Sequence, residues 1–273
     1  MKKYICNVIV AIVVMIIAFS SCERNNIEER KDWAAIYKKH GVDSACFELV
    51  EHSKERVYYY NKARGNTRMS PASTFKIMAS LIALETSVAP DEDLIIKWDG
   101  VKRPQEQWNK DMNMREAFKV SSEPYYKELM KRVGTTEINR WLDSTEYGNM
   151  QIGNNVETFW TDNSLQITPD EQCGFLKKLY FDDLPFSKRT MRIARSLMLQ
   201  EETKDYRWYY KSGTAVNDTM QMAWLVGFVE DSTNHPYFFA NNFSTKDTSI
   251  NIKDLRMQIT REIFQTKGLL RDK

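Results

Sequence analysis

The distribution of apolar residues along this chain of 273 residues predicts strands near both ends and helices between them. Short runs rich in β-branched and aromatic residues are typical of strands, whereas apolar residues three and four positions apart are typical of helices. The predicted strands cover residues 45–50, 56–60, 207–210, 222–229 and 237–243. The predicted helices cover residues 32–40, 73–84, 114–143, 169–179, 187–199 and 252–263, with breaks in the third at Pro124 and Gly134.

This order of elements predicts an α+β fold in which one antiparallel sheet is built from both chain ends. Helices would flank the sheet, and an all-helical subdomain of about residues 86–200 would be inserted between the two groups of strands. No internal repeat divides the sequence. We therefore predict a single domain over residues 32–270.

The first residues of the chain have the pattern of an export signal rather than of a folded element. Two lysines are followed by an unbroken apolar run and then by small residues before Cys22. We predict an export signal over residues 1–21, a polar tether over residues 22–31 and delivery of the chain to the bacterial periplasm. Cys22 stands where bacterial lipoproteins have a lipidated cysteine. Lipidation at Cys22, plain cleavage of the signal and its retention as a membrane anchor all stay open.

Composition and charge restrict the classes of function. Hydrophobic residues make up 42% of the sequence and charged residues 28%, as in a folded globular protein. The formal net charge is only +2, which argues against nucleic acid as a partner. The three histidines have no metal-ligand spacing, so we expect no metal cofactor. For Cys46 and Cys173 we expect two buried free thiols, and the sequence does not indicate the oligomeric state.

Reactive side chains are concentrated at the start of the second predicted helix, in the stretch SPASTFK at residues 70–76. Ser73 and Lys76 are three residues apart, so a helix places the hydroxyl and the amine on one face. The start of a helix is the positive end of its dipole, which favours a developing oxyanion. Apolar neighbours would bury Lys76 and lower the pKa of its amine, which could then act as a base. We predict a serine nucleophile with a lysine-derived base; for this motif on its own, a solvated helix face is the alternative.

Further motifs give this stretch its context. The sequences STFK at residues 73–76, YGN at 147–149 and KSGT at 211–214 follow the order and rough spacing of the class D, or oxacillinase-type, β-lactamases. The similarity covers about residues 32–270, so nearly the whole mature chain resembles that family. Other features that resemble the family are Trp98-Asp99-Gly100, Arg103, Trp108-Asn109, Trp160 and the sequence YFFA at residues 237–240.

The resemblance implies hydrolysis of β-lactam amides through a serine acyl-enzyme. Ser73 would attack the β-lactam carbonyl and become acylated. Carbon dioxide would carboxylate Lys76 to a carbamate, which would be the general base for acylation and deacylation. The indole N–H of Trp160 would support this carbamate. Carbon dioxide or bicarbonate is then the only cofactor that the resemblance implies, and β-lactams are the small-molecule partners.

The resemblance also implies roles for the other motif residues. Ser121 would relay a proton to the leaving nitrogen, and Lys211 would lie beside it on a strand. The backbone N–H groups of Ser73 and Thr214 would form the oxyanion hole, and Arg256 would hold the substrate carboxylate. Without the resemblance, a β-turn is the better prediction for Lys211, and Arg256 could equally be a surface residue. The remaining site residues implied are Ser212, Gly213 and Thr214 for substrate binding and Tyr147, Gly148 and Asn149 as a family motif.

One position departs from the family pattern. The family's Ser-x-Val motif corresponds to Ser121-Ser122-Glu123 here, with an acid in place of the valine. A carboxylate that points towards Lys76 would favour the protonated amine and repel a carbamate. A carboxylate that points outward beside Pro124, in the first turn of a helix, would be harmless. The sequence leaves both orientations open.

Three functions share these motifs to different degrees. A class D β-lactamase accounts for all of them. A β-lactam-binding sensor shares the fold and the motifs but keeps its acyl group; such receptors have several membrane spans and a zinc-protease segment, neither of which this sequence shows. A peptidoglycan DD-peptidase uses the same Ser-x-x-Lys and Lys-x-Gly residues, but the YGN triplet and Trp160 are features of the β-lactamases. We expect β-lactam hydrolysis, with penicillin binding and slow turnover as the alternative.

Overall fold

The computed structural model describes residues 26–42, 44–217 and 219–270. The predicted export signal, Cys22 and the first residues of the predicted tether lie outside these ranges. The strands are β1 (Ile27–Glu29), β2 (Ser44–Glu51), β3 (Arg56–Tyr60), β4 (Leu199–Glu202), β5 (Tyr206–Asn217), β6 (Met220–Asp231) and β7 (Pro236–Thr245). The α-helices are α1 (Trp33–Lys39), α2 (Lys62–Gly65), α3 (Lys76–Glu85), α4 (Met114–Lys119), α5 (Glu123–Val133), α6 (Thr135–Thr145), α7 (Pro169–Tyr180), α8 (Lys188–Met198) and α9 (Ile252–Thr266).

The strands form one sheet in the order β1-β3-β2-β7-β6-β5-β4. Only the pair β1–β3 is parallel; the other neighbours are antiparallel. Strand β2 pairs with β7 along its full length, from Ser44 opposite Ser244 to Glu51 opposite Tyr237. This pairing joins the N-terminal hairpin to the C-terminal strands, which confirms the prediction of one sheet built from both chain ends.

Two apolar layers cover the sheet. On one face, α1 and α9 pack against it, and Trp33 meets Phe47 with ring centroids 5.3 Å apart while Phe264 meets Phe47 at 6.0 Å. On the other face lies a larger core that includes α3 and the helices α4 to α8. Both layers form because each helix buries one apolar face, as the helical spacing in the sequence predicted. Cys46 and Cys173 are buried free thiols, as expected.

The structure differs from the sequence predictions at several boundaries. Strands β5 and β6 are longer than predicted, because residues 211–217 continue pairing with β6 instead of turning. Part of the predicted tether forms the edge strand β1. The predicted breaks at Pro124 and Gly134 are confirmed; the first lies at residues 120–122, and Pro124 itself is in the first turn of α5, where a missing N–H removes no helical hydrogen bond.

The inserted region is also less regular than predicted. Within residues 86–200 there are two long connections, residues 86–113 before α4 and residues 146–168 between α6 and α7. The first contains the 3₁₀ turn Glu106–Trp108 and an isolated β-bridge between Ile96 and Met112. In the described part of the chain, no helix has the length and apolar character that a membrane span needs. The connection over residues 146–168 is important below because it contains Trp160.

Gly227 in β6 provides a test of how tightly the central strands pack. A Cβ atom added there would lie 2.0 Å from the carbonyl oxygen of Tyr209 on β5, so we predict that Gly227→Ala lowers the free energy of unfolding by about 3 kcal/mol. Gly174 in α7 is the control, because a Cβ atom there meets nothing within 4 Å. Gly174→Ala should raise the free energy of unfolding by about 0.5–1 kcal/mol. Urea unfolding of the two variants measures both effects, and equal stabilities would contradict this packing.

Candidate active site

The first part of the site is the turn that leads into α3. Residues Ala72–Phe75 form a 3₁₀ turn, and Lys76 begins the α-helix. The amine of Lys76 donates a hydrogen bond of 2.7 Å to the Ser73 hydroxyl, which confirms the predicted contact between these two residues. Ala72, directly before Ser73, has a φ of 49°, a strained conformation for a residue other than glycine. Strain of this kind persists only where the surrounding structure holds it, and it is common at functional sites.

Lys76 is fully buried, although it is a lysine at the start of a helix. Burial lowers the pKa of Lys76 to about 8, while the Glu123 carboxylate raises it and the Lys127 ammonium lowers it. About one Lys76 amine in ten is therefore neutral at pH 7. A neutral amine is both a base and a nucleophile, so the apolar surroundings of α3 give this side chain the reactivity that an exposed lysine lacks.

A second pair of amine and hydroxyl comes from distant parts of the chain. Lys211 on β5 donates to the Ser121 hydroxyl at 2.9 Å and to the carbonyl oxygen of Ser212 at 3.0 Å. Burial, helped by the positive charges of Lys76 and Arg256, holds the pKa of Lys211 well below its usual value. Ser121 lies between α4 and α5 with a φ of 55°. The prediction that Lys211 lies on a strand, and not in a turn, is confirmed.

Strand β5 lies close to the nucleophile turn because of one glycine. A Cβ atom at Gly213 would be 3.0 Å from the carbonyl oxygen of Pro71 and 3.2 Å from a methyl carbon of Thr74. Arg256 on α9 reaches this strand from the other side; its Nη1 donates to the Gly213 carbonyl and to the Thr214 hydroxyl, each at 2.8 Å. The KSGT segment is therefore held between the turn and the guanidinium.

Arg256 is a mostly buried residue and not a solvated surface arginine. Burial lowers its pKa to about 10, and its Nε has no hydrogen-bond partner among the described residues. None of Lys76, Lys211 and Arg256 forms an ion pair with a described carboxylate. Three basic groups without acidic partners, brought together from three elements, make the site suited to an anionic ligand.

Trp160 lies behind the nucleophile. Its ring stacks on Phe75 with centroids 5.5 Å apart, and its indole N–H is buried without an acceptor among the described residues. The hydroxyl of Ser70 donates to the backbone carbonyl of Trp160 at 2.8 Å and ties it to the stretch before Ser73. A buried donor without a partner is uncommon in folded proteins, which marks this N–H as available to an acceptor.

The triplet of residues 147–149 braces the connection that contains Trp160. A Cβ atom at Gly148 would lie 2.2 Å from the carbonyl oxygen of Gln166, so only glycine fits there. Asn149 donates to the Ser164 carbonyl at 2.8 Å and accepts from the Gln166 N–H at 2.9 Å. Tyr147 is buried against Phe75, with ring centroids 6.0 Å apart. The structure thus places this motif around the site as support, and not among its reactive groups.

Glu123 points outward, one of the two orientations that the sequence left open. Its carboxylate lies 3.7 Å from the Lys127 ammonium, and its side chain is 40% exposed. It lies in the first turn of α5, where an acid is favoured by the helix dipole. Its charge still acts on the pKa of Lys76, as noted above.

Three residues of the site had no signal in the sequence. The ring of Tyr126 lies under the Lys76 amine, 5.5 Å from ring centroid to nitrogen, and the ring of Phe118 lies at the same distance from the Lys211 amine. The indole of Trp224 donates to the Ser70 carbonyl at 3.0 Å. These contacts join helices and strands far apart in sequence, so no local pattern could identify them.

The residues of the WDG motif line a neighbouring cleft of about 370 Å³ between residues 95–112 and α5. Arg103 pairs with Asp99 at 2.5 Å, and the indole of Trp108 donates to the Val120 carbonyl at 3.1 Å. The second contact fixes the cleft wall directly before Ser121. Ser122, next to Ser121 in sequence, lines the cleft, whereas Ser121 and Lys211 do not.

Known proteins share this sequence and this fold. Residues 31–265 match the family described as penicillin binding protein transpeptidase domain. The chain is 35% identical to the probable β-lactamase YbxI of Bacillus subtilis, in an alignment that covers 99% of each protein. It is similar to the structure of a class D β-lactamase from Sebaldella termitidis, with a TM-score of 0.85, 31% identity and coverage of 90% and 99% of the two chains. It is also similar to the C-terminal domain of the Bacillus licheniformis BlaR penicillin receptor, with a TM-score of 0.84, 28% identity and coverage of 90% and 98%.

The buried amine of Lys76 predicts a dependence of stability on pH. Because its pKa is lower in the folded chain than in the unfolded chain, protonated Lys76 opposes folding below about pH 8, and this penalty disappears as the pH rises to 10.5. We predict that Lys76→Met raises the free energy of unfolding at pH 7 by about 2 kcal/mol, and that the gain shrinks between pH 8 and 10.5. Urea unfolding in buffers free of carbon dioxide measures the free energy of unfolding at each pH. Lys131→Met, at an exposed position of α5, is the control. A gain that does not change with pH would contradict the assignment.

Proposed function

The chain belongs to the class D serine β-lactamases, within the penicillin-binding transpeptidase family, and we propose that it hydrolyses β-lactam antibiotics through an acyl-enzyme on Ser73. The observation that carries this proposal is the hydrogen bond of 2.7 Å between the Ser73 hydroxyl and the buried Lys76 amine. A serine is a weak nucleophile unless an adjacent base takes its proton, and a desolvated lysine at this distance is such a base.

Acylation uses groups on both sides of the nucleophile. Ser73 gives its proton to the base at Lys76, its oxygen bonds to the lactam carbonyl carbon, and the backbone N–H groups of Ser73 and Thr214 stabilise the resulting oxyanion. The lactam C–N bond then breaks. The leaving nitrogen receives the proton of the Ser121 hydroxyl. Lys211, which donates to this hydroxyl at 2.9 Å, then gives a proton to the Ser121 oxygen. The Ser73–Lys76 pair therefore removes a proton from the nucleophile, and the Ser121–Lys211 pair delivers one to the leaving nitrogen.

Substrate recognition follows from the cationic character of the site. Penicillins and cephalosporins have a carboxylate next to the lactam ring. Lys211, Ser212 and Thr214 lie on β5, which would receive this carboxylate, and Arg256 donates to the same strand from α9. Arg256 already donates to Thr214, so it holds this hydroxyl in place as well as supplying charge. A carboxylate is the partner that the three unpaired basic groups lack.

We further propose that Lys76 is carboxylated by carbon dioxide. Its neutral fraction and its dry surroundings favour this reaction, and the unpartnered N–H of Trp160 is a donor that the added carboxylate would need. Once formed on Lys76, the carboxylate would be the general base that activates the water for deacylation. Trp160, stacked on Phe75, orients its N–H for this purpose.

A penicillin-binding sensor is the second candidate. The similarity to the BlaR receptor domain and the acid at Glu123 favour it, because Glu123 raises the pKa of Lys76 and so opposes the neutral amine. In a sensor the acyl group on Ser73 persists. The measurement that separates the two candidates is turnover after the first acylation.

We also propose export to the bacterial periplasm with a lipid anchor at Cys22. This proposal rests only on the sequence pattern of residues 1–21 and on Cys22. Labelling of Cys22 with a radioactive lipid precursor in cells tests it, and an unlabelled, cleaved chain would leave export without the anchor.

For the hydrolase we expect sustained turnover of a chromogenic cephalosporin and of a penicillin by residues 23–273. The rate should rise when bicarbonate is added to buffer freed of carbon dioxide, because more Lys76 is then carboxylated. Ser73→Ala should reduce kcat by more than about a thousandfold, since the nucleophile is lost. A burst of one product per protein, followed by a stable acyl-protein in the mass spectrum, would reject the hydrolase in favour of the sensor.

Trp160→Phe tests the role of the indole N–H separately from its ring. The phenyl ring can still stack on Phe75, but the donor to the carboxylated Lys76 is lost, so we expect kcat at ambient carbon dioxide to fall about 10- to 100-fold. Added bicarbonate should restore part of the loss. Trp141→Phe is the matched control, because the Trp141 N–H is also buried and unpartnered but stacks on Phe186, away from Lys76. Equal effects of the two variants would contradict the assignment.

A further inference from the structure

One face of α5 lies against the amine of Lys76. Tyr126 contributes its ring to this face, and Glu123 and Lys127, three residues before it and one after it, form an ion pair at the partly exposed edge of the face. The fully buried ring of Tyr126 has its centroid 5.5 Å from the Lys76 nitrogen, and its hydroxyl forms a hydrogen bond of 2.8 Å with Ser80 on α3. Tyr126 therefore joins α5 to α3 beside the Lys76 amine.

The acid and the base form a partly exposed ion pair. The Glu123 carboxylate and the Lys127 ammonium are 3.7 Å apart, and their side chains are 40% and 35% exposed. Lys127 also lines the cleft of about 370 Å³ beside the active site. The two charges are thus held near a buried amine but remain in contact with solvent.

We propose that Glu123 and Lys127 are positioning residues whose opposed charges control the uptake of carbon dioxide by Lys76. This inference rests on the carboxylation of Lys76 proposed above. In that reaction the amine lone pair forms a bond to the carbon of carbon dioxide, one C–O π pair moves to oxygen, and a proton leaves the nitrogen for solvent. The amine must be neutral at the start, and the product is an anion.

The two charges have opposite effects on the protonation of the reactant amine and on the stability of the anionic product. Glu123 favours the protonated amine and repels the anionic product, whereas Lys127 favours the neutral amine and attracts the product. Glu123 has the larger effect of the two on the pKa of Lys76, and Lys127 offsets part of it. The other ionisable group that faces Lys76 is Lys211 on β5, while Ser73 and Tyr126 offer uncharged hydroxyls.

The arrangement explains how an acid is tolerated so near a lysine that must lose its proton. An isolated carboxylate at Glu123 would oppose carboxylation, but Lys127, one helical turn later and 3.7 Å away, offsets part of its effect. Because the pair is partly exposed, salt screens each charge. The paired charges should therefore make carboxylation of Lys76 less sensitive to salt than either charge alone would.

The experiment measures the carbamate directly. The wild-type protein, Glu123→Gln, Lys127→Gln and the double variant are titrated with ¹³C-bicarbonate, and the carbamate signal is followed by ¹³C NMR at low and high salt. We expect Lys127→Gln to raise the bicarbonate concentration for half-carboxylation about fivefold at low salt, and Glu123→Gln to lower it by a similar factor. The double variant should return to within about twofold of the wild type, and high salt should shrink both single effects.

A neighbouring ion pair on the same helix provides matched controls. Arg132 and Glu128 are 2.8 Å apart, also four residues from each other, with side chains 42% and 39% exposed. Glu128→Gln and Arg132→Gln should leave the carbamate titration unchanged, although they remove the same charges from α5. Single variants at Glu123 and Lys127 that shift the titration in the same direction, or no more than the controls, would overturn the inference.

The same titration separates this inference from the proposed function. A carbamate signal in the wild type with no opposed shifts in the variants rejects the role of the ion pair and leaves the carboxylated Lys76 in place. A wild-type protein that shows no carbamate at saturating bicarbonate rejects both.

Discussion

The desolvated amine of Lys76 is the constraint on which the rest of the active site depends. An ammonium group in an apolar helix is unfavourable unless it is paired, and here its hydrogen-bond partner is the Ser73 hydroxyl and not a carboxylate. The same unfavourable environment provides a neutral amine near physiological pH. Stability is thus exchanged for reactivity at one position, as is common in enzyme active sites.

The fold maintains this environment from three sides. Trp160 and Phe75 form a stacked pair behind the nucleophile, and the residues around Gly148 and Asn149 hold the connection that contains Trp160. Strand β5 closes the front because Gly213 permits backbone contact with the nucleophile turn. These contacts surround Lys76, which is fully buried.

The site has more basic than acidic side chains, and a partly exposed ion pair adds to the electrostatic potential at Lys76. The positive charges of Lys76 and Arg256 add to burial in lowering the pKa of Lys211. An anionic substrate, or an anionic modification of Lys76, would relieve this repulsion. The ion pair of Glu123 and Lys127 adds a weaker, solvent-exposed contribution whose two parts have opposite signs.

The sequence alone determined what depends on local geometry. The spacing of Ser73 and Lys76 on a helix brings their side chains together without help from the fold, and apolar periodicity predicted the helices and most strands. Tertiary structure decided the contacts between distant segments: Lys211 meets Ser121 across 90 residues, and Arg256 meets Gly213 across 43. It also decided that Glu123 points outward, that residues 211–217 continue a strand, and that the Trp160 N–H has no partner. These features depend on which surfaces pack against each other, and that is set by the burial of the whole core.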